Sequence, residues 1–142
     1  MPTLERILGI DFGSTRIGIA VSDPMQIIAK GIGVVLNGPK MMAAIKGYVT
    51  EYAVSKAVVG MPLNLKGEMG QKSVEVDQFI QQLVKETGLE VIRWDERFTS
   101  KVAHQTLIDM GVGKKKRRQK GTIDEMAAAL ILQSYLDSRK YN

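Results

Sequence analysis

The chain has 142 residues, of which 44% are hydrophobic and 25% charged, so we expect one globular domain over residues 1–142. It has no cysteine, which excludes disulfides and thiolate metal sites, and no signal-peptide pattern or apolar run of the ~20 residues that a membrane span needs, so we expect a cytoplasmic protein without a membrane partner. The formal net charge of +5 favours binding to polyanionic partners such as nucleic acids.

The N-terminal part of the chain has the pattern of three consecutive strands. Short hydrophobic runs are separated by short connections, and the second run alternates through Ile17, Ile19 and Val21. The predicted strands are Arg6–Asp11, Arg16–Ser22 and Lys30–Leu36. Because only residues 12–15 join the first two, we expect a hairpin that continues into an antiparallel meander.

Helices and strands alternate in the rest of the chain. Pro39 suits the first turn of a helix, and Thr122-Ile123-Asp124-Glu125 matches the capping box that opens the last one. The predicted elements are a helix from Pro39 to Tyr52, a strand at Lys56–Gly60, a helix at Gln71–Thr87, a strand at Leu89–Trp94, a helix at Thr99–Met110 and a final helix from Thr122. This order predicts an α/β fold with a mixed five-stranded sheet, flanked by helices.

Three carboxylates occupy positions at which these elements could bring them together. Asp11 and Glu96 end predicted strands, and Asp124 opens the final helix on the face that should pack on the sheet. Asp11 could instead support a tight turn, and strand alternation leaves open whether Asp95 or Glu96 faces Asp11. Converging carboxylates repel one another unless a cation holds them, so the pattern indicates a Mg²⁺ or Mn²⁺ site for phosphoryl transfer.

The positive charge of the chain is concentrated in one block before Asp124. Removing the six basic residues of this block from the total of 20 leaves 14 basic against 15 acidic residues, so the remainder is close to neutral. A basic segment of this kind contacts phosphates without sequence specificity, although it could also be a solvated loop. Together with Arg16, which follows the first turn, the predicted substrate-binding residues are Lys114, Lys115, Lys116, Arg117, Arg118 and Lys120.

Five short motifs, taken in order, resemble one known family. They are Gly9-Ile10-Asp11-Phe12-Gly13, Arg16-Ile17-Gly18-Ile19-Ala20, Val59-Gly60-Met61-Pro62, Asp95-Glu96-Arg97-Phe98-Thr99 and Asp124-Glu125-Met126-Ala127-Ala128. Each motif alone is weak, but the series spans essentially the whole chain and resembles the YqgF/RuvX family of Holliday-junction-resolvase-like, pre-16S ribosomal RNA nucleases.

The resemblance implies an RNase H-like fold and metal-dependent hydrolysis of phosphodiester bonds. It implies that the acidic site consists of Asp11, Glu96 and Asp124, with Asp95 as the nearest spare acid, since many sites of this fold carry four. It further implies maturation of the 5′ end of pre-16S rRNA, with cleavage of branched DNA as the alternative. A resolvase would need a homodimer, whereas RNA trimming would serve a monomer equally well.

Two other functions are compatible with the residues. Asp11-x-Gly13-Ser14-Thr15 resembles the first phosphate loop of the sugar-kinase and actin class of ATPases, which use two such domains around the nucleotide. A non-catalytic RNA-binding factor of ribosome assembly would also use the basic segment.

Overall fold

The computed structural model describes residues 5–64, 66–99, 105 and 120–139, and for residues 120–122 the backbone alone. In chain order its elements are β1 (Arg6–Phe12), β2 (Arg16–Ser22), β3 (Ala29–Leu36), α1 (Met41–Glu51), β4 (Val54–Met61), α2 (Gln71–Thr87), β5 (Glu90–Asp95), a short 3₁₀ helix (Glu96–Phe98) and α3 (Lys120–Arg139). In this part of the chain, no helix combines the length and the apolar character that crossing a membrane requires.

The strands form one mixed sheet in the order β3-β2-β1-β4-β5. The pairs β1–β2 and β2–β3 are antiparallel, whereas β1–β4 and β4–β5 are parallel. This arrangement confirms the predicted five-stranded α/β sheet with an antiparallel N-terminal meander. Parallel pairing of β4 and β5 requires the crossover that α2 supplies.

Helices cover both faces of the sheet. On one face α1 and α2 pack on Leu8, Ile10 and Ile19, and on the other face α3 packs on Ile7, Ala20 and Val58. Because neighbouring residues of a strand point to opposite faces, the apolar runs of β1 and β2 supply both cores.

Two helix starts differ from the sequence prediction. The helix predicted to include Pro39 begins at Met41, after a turn in which the Met41 N–H donates to the Gly38 carbonyl (3.1 Å). The capping box predicted at Thr122 is wrong, because α3 already has helical backbone at Lys120. Glu125 packs against Gly31 of β3 and is therefore part of the helix–sheet contact.

The other boundaries differ by no more than two residues. Helix α2 has the predicted bounds, and the residue that caps its C-terminus is Gly88, whose φ of 71° is the left-handed conformation that favours glycine. Of the helix predicted over Thr99–Met110, only Gln105 is described beyond Thr99, and it has helical backbone. The rest of that prediction lies outside the described residues.

Candidate active site

The site lies at the end of β1, over a row of three neighbouring residues in the sheet. Asp11 of β1 is the register partner of Gly18 in β2. On its other side lies Gly60 of β4, the residue after Val59, which pairs with Ile10. The row Gly18–Asp11–Gly60 thus presents one carboxylate between two positions without side chains.

Gly18 allows helix α3 to lie directly on the sheet. A Cβ atom added to Gly18 would come within 2.0 Å of the backbone oxygen of Asp124. Such a distance is far inside van der Waals contact, so only glycine accommodates the helix at this height. Because Gly18 is directly opposite Asp11, this contact places the start of α3, and with it Asp124, beside Asp11.

Gly60 makes room for Glu96 in the same way. A Cβ atom added to Gly60 would lie 2.7 Å from Oε1 of Glu96 and 2.6 Å from Ile131 of α3. The sequence analysis placed Gly60 at the end of a predicted strand and within one of the five family motifs, but it did not identify this packing role. The signal was a glycine inside an otherwise apolar strand, which marks a close approach.

Strand alternation separates the two neighbouring acids. Strand β5 continues to Asp95, and the 3₁₀ helix begins at Glu96. Asp95 accepts hydrogen bonds from the backbone N–H (3.0 Å) and the Nε–H (2.9 Å) of Arg97. The hydrogen bonds from Arg97 lower the pKa of Asp95, whereas Glu96 turns toward Asp11.

The carboxyl groups of Asp11 and Glu96 interact with each other. Burial raises the pKa of Asp11; the Lys72 ammonium opposes this rise and the charge of Asp124 adds to it. Burial also raises the pKa of Glu96, and the charge of Asp11 adds to this effect. The hydrogen bond between the two carboxyl groups raises the pKa of Glu96 further and lowers that of Asp11, against the larger effect of burial.

Asp124 forms an ion pair with Arg16. Its Oδ2 accepts a hydrogen bond of 2.7 Å from Nε of Arg16, the residue predicted to contact substrate. Within the described ranges, no group of three or more histidine, cysteine, aspartate or glutamate side chains is arranged to hold one ion. Asp11 and Glu96 are therefore in contact, while Asp124 is close enough to act on Asp11 but is directed toward Arg16.

The residues nevertheless fit a hard divalent cation. All three acids offer carboxylate oxygens, the ligands that Mg²⁺ and Mn²⁺ prefer. Two of them are partly buried side by side with raised pKa values, a repulsion that a cation would relieve. Because the three acids are not grouped around one point among the described residues, binding at all three would require the Asp124 carboxylate, now bonded to Arg16, to move toward the other two.

Lys72 is a charged residue near the site that the sequence prediction missed. It is exposed in the first turn of α2, and its charge lowers the pKa of both Asp11 and Glu96. No sequence signal marked it, because a lysine near a helix start is ordinary. The predicted basic residues Lys114, Lys115, Lys116, Arg117 and Arg118 lie outside the described residues; for Lys120 only the helical backbone is described.

Comparison with solved structures supports the fold assignment. The chain superposes on Thermus thermophilus RuvC in complex with a Holliday junction substrate with a TM-score of 0.63 at 18% identity, covering 97% of each chain. It also superposes on the fowlpox virus Holliday junction resolvase with its junction DNA (TM-score 0.57, 16% identity, 94% of this chain and 98% of that one). These likenesses confirm the predicted RNase H-like fold.

Sequence comparison identifies the family. A protein of Desulfitobacterium hafniense is 41% identical over 132 residues, covering 93% of this chain and 92% of its own. One from Sulfurihydrogenibium is 40% identical over 141 residues, covering 98% and 94%. Both carry the name "Putative pre-16S rRNA nuclease". The family model described as RuvX, Holliday junction resolvase, matches residues 5–138. The chain therefore belongs to the RuvX family, as its five motifs predicted.

Proposed function

We propose that this protein is a divalent-metal-dependent nuclease that hydrolyses phosphodiester bonds of pre-16S rRNA during maturation of its 5′ end in the cytoplasm. The observation that carries the proposal is the row Gly18–Asp11–Gly60 in the sheet. Asp124 of α3 lies over Gly18 and Glu96 lies over Gly60, so both acids flank Asp11. The names of the relatives supply the RNA substrate.

Asp11, Glu96 and Asp124 are the residues that would hold Mg²⁺ or Mn²⁺. A divalent cation supplies Lewis-acid stabilisation of the charge that develops on the phosphate oxygens. The protein would contribute one carboxylate at Asp11 on β1, a second at Glu96 after β5, and a third at Asp124 in the first turns of α3. Arg16 and the basic block before α3 bind and orient the substrate backbone.

The experiment is a cleavage assay on a 5′-extended 16S rRNA fragment with Mn²⁺, Mg²⁺ or a chelator. We expect cleavage by the unmodified protein with either metal and none with the chelator. Asp11→Asn, Glu96→Gln and Asp124→Asn should each reduce the rate by about a hundredfold or more, because a ligand that stabilises the transition state is lost. RNA binding should change little, since the basic block supplies much of the affinity.

Asp95→Asn is the matched control, because it alters the neighbouring acid on the opposite face of β5. It should retain cleavage, whereas loss in Asp95→Asn and retention in Glu96→Gln would reverse the ligand assignment. Undiminished cleavage by Asp11→Asn would contradict the proposal.

Branched DNA is the second candidate substrate, favoured by the family description and by the junction DNA bound to structural neighbours. A four-way DNA junction should therefore be tested beside the RNA. Preferential cleavage of the junction would move the function to resolution, with a homodimer to cut both strands. RNA binding without cleavage of either substrate would indicate instead a non-catalytic RNA-binding factor of ribosome assembly.

A further inference from the structure

The ion pair between Arg16 and Asp124 joins two residues that the proposed reaction needs for different purposes. Arg16 begins β2 and Asp124 lies in the first turns of α3, 108 positions away in sequence. Their Nε–Oδ2 distance is 2.7 Å, and the side chains are 37% and 23% exposed. Arg16, which we expect to bind phosphate, is thus hydrogen-bonded to Asp124, which we expect to bind the metal.

The position of α3 does not depend on this ion pair. The helix is seated on the sheet by close contacts at Gly9, Gly18 and Gly31, and by the buried side chain of Leu132. A partly exposed pair adds little to the stability of a contact of this size. The main effect of the ion pair is therefore electrostatic: Arg16 neutralises the charge of Asp124 at the site.

Asp124 belongs to the same electrostatic group as the other two acids. Its charge acts on Asp11, which in turn interacts with Glu96. Lys72 and Arg16 offset part of the negative charge of this group: Lys72 acts on Asp11 and Glu96, and Arg16 pairs with Asp124. Of these two cations, Arg16 makes the direct hydrogen bond to a carboxylate.

We propose that Arg16 is a placeholder for the divalent cation: in the metal-free protein it neutralises Asp124, and metal binding displaces it toward the substrate phosphate. This inference rests on the proposed function, because it takes Asp124 as a metal ligand. Arg16 then competes with the metal for Asp124 but acts together with the metal on the substrate. The protein keeps Arg16 away from phosphate until the metal is present.

The test is a calorimetric titration of the protein with Mn²⁺ in the absence of nucleic acid. Arg16→Met should bind Mn²⁺ about fivefold more tightly than the unmodified protein, because the competing partner of a partly exposed pair has been removed. Arg16→Lys keeps the charge and should return the affinity most of the way to the original value. In an Asp124→Asn background, the Arg16→Met change should have no such effect.

Arg93→Met is the matched control. It breaks an ion pair of similar length, the 2.8 Å contact between Arg93 and Asp77, but between β5 and α2 on the other face of the sheet. Its Mn²⁺ affinity should equal that of the unmodified protein. Tighter binding in both variants would mean that the lost net charge, and not the site, is responsible, which would overturn the inference.

Unchanged or weaker Mn²⁺ binding by a folded Arg16→Met variant would also overturn it. If the unmodified protein still cleaves RNA in a manner that requires Asp11, the inference alone fails and the proposed function stands. If tighter binding is observed but no substrate is cleaved, the placeholder role stands and the nuclease function fails. Absence of Mn²⁺ binding in both proteins contradicts the metal site and the placeholder together.

Discussion

At the residue scale, the acids of the site differ in how far the sequence could assign them. The position of Asp11 was predictable, since it lies near the end of a buried strand, two residues before a glycine. Glu96 was not separable from Asp95, because the choice depends on where β5 ends, and boundaries shift by one or two residues. The structure ends β5 at Asp95, which turns Glu96 toward Asp11.

The raised pKa of Asp11 predicts how its removal changes stability with pH. Burial raises the pKa of Asp11 in the folded protein. At pH values between the ordinary pKa and the raised one, the folded protein binds a proton that the unfolded chain has released. The free energy of unfolding therefore falls as the pH rises through this interval. We therefore expect metal-free Asp11→Asn to melt a few degrees above the unmodified protein at pH 7. The difference should vanish below the ordinary pKa of about 4.

Asp77→Asn provides a control of opposite sign. Hydrogen bonds from Gln81 and Arg93 lower the pKa of Asp77, so its contribution is present at neutral pH and lost on acidification. This variant should melt at or below the unmodified protein at pH 7. Thermal melts between pH 3 and pH 8 would show both trends; an Asp11→Asn variant that is less stable than the unmodified protein at pH 7 would contradict the described electrostatics.

At the element scale, the sequence predicted the strands and α2 well because their apolar periodicity reflects burial on one or both faces. It misplaced the start of α3, where a local capping pattern competed with packing on the sheet. The glycines in the strands beneath α3 indicate where this helix packs on the sheet. Gly18 sits in a strand whose neighbours are fully buried, and only the partner helix explains why a side chain is absent there.

Gly18→Ala should therefore harm both stability and activity. Its Cβ would meet the Asp124 backbone oxygen at 2.0 Å, so α3 must shift outward, at a cost of about 2 kcal/mol or more in the free energy of unfolding. The same shift moves Asp124 away from Asp11, so cleavage should fall more than the loss of folded protein explains. Denaturant melts and cleavage rates measure the two effects.

Gly47→Ala is the control for this substitution. Gly47 lies inside α1, and an added Cβ would meet nothing within 4 Å. Alanine there should raise stability by ~0.5–1 kcal/mol through its better helix propensity and leave cleavage unchanged. Equal behaviour of the two variants would show that Gly18 does not set the position of α3.

At the scale of the whole molecule, topology was predictable because short connections restrict a meander followed by alternating helices and strands. The charge distribution was equally plain, since the excess of basic residues falls in one block. Sequence could not show how the start of α3 and Arg16, far apart in the chain, combine at the site. That proximity follows from the packing of the complete sheet.

Neutralising the basic block should weaken RNA binding and its dependence on salt. Replacing five of its residues with glutamine should reduce the slope of log affinity against log salt by as much as ~3.5, since each phosphate contact on a single strand contributes about 0.7. The melting curve should stay cooperative. The residues replaced are Lys114, Lys115, Lys116, Arg117 and Arg118.

The control removes the same charge from five exposed lysines spread over the described surface. Its salt slope should change far less, because these lysines do not form one block. An unchanged slope in the block variant would show that the block does not contact phosphate. The control residues are Lys30, Lys40, Lys46, Lys66 and Lys85.

The most direct measurement is a crystal structure with Mn²⁺ at a concentration that supports cleavage, using anomalous scattering to locate the ion. We predict an ion bonded to carboxylate oxygens of Asp11, Glu96 and Asp124, with Arg16 no longer hydrogen-bonded to Asp124. An ordered structure with Mn²⁺ bound elsewhere, or with Arg16 still on Asp124 and no ion at the three acids, would contradict the account.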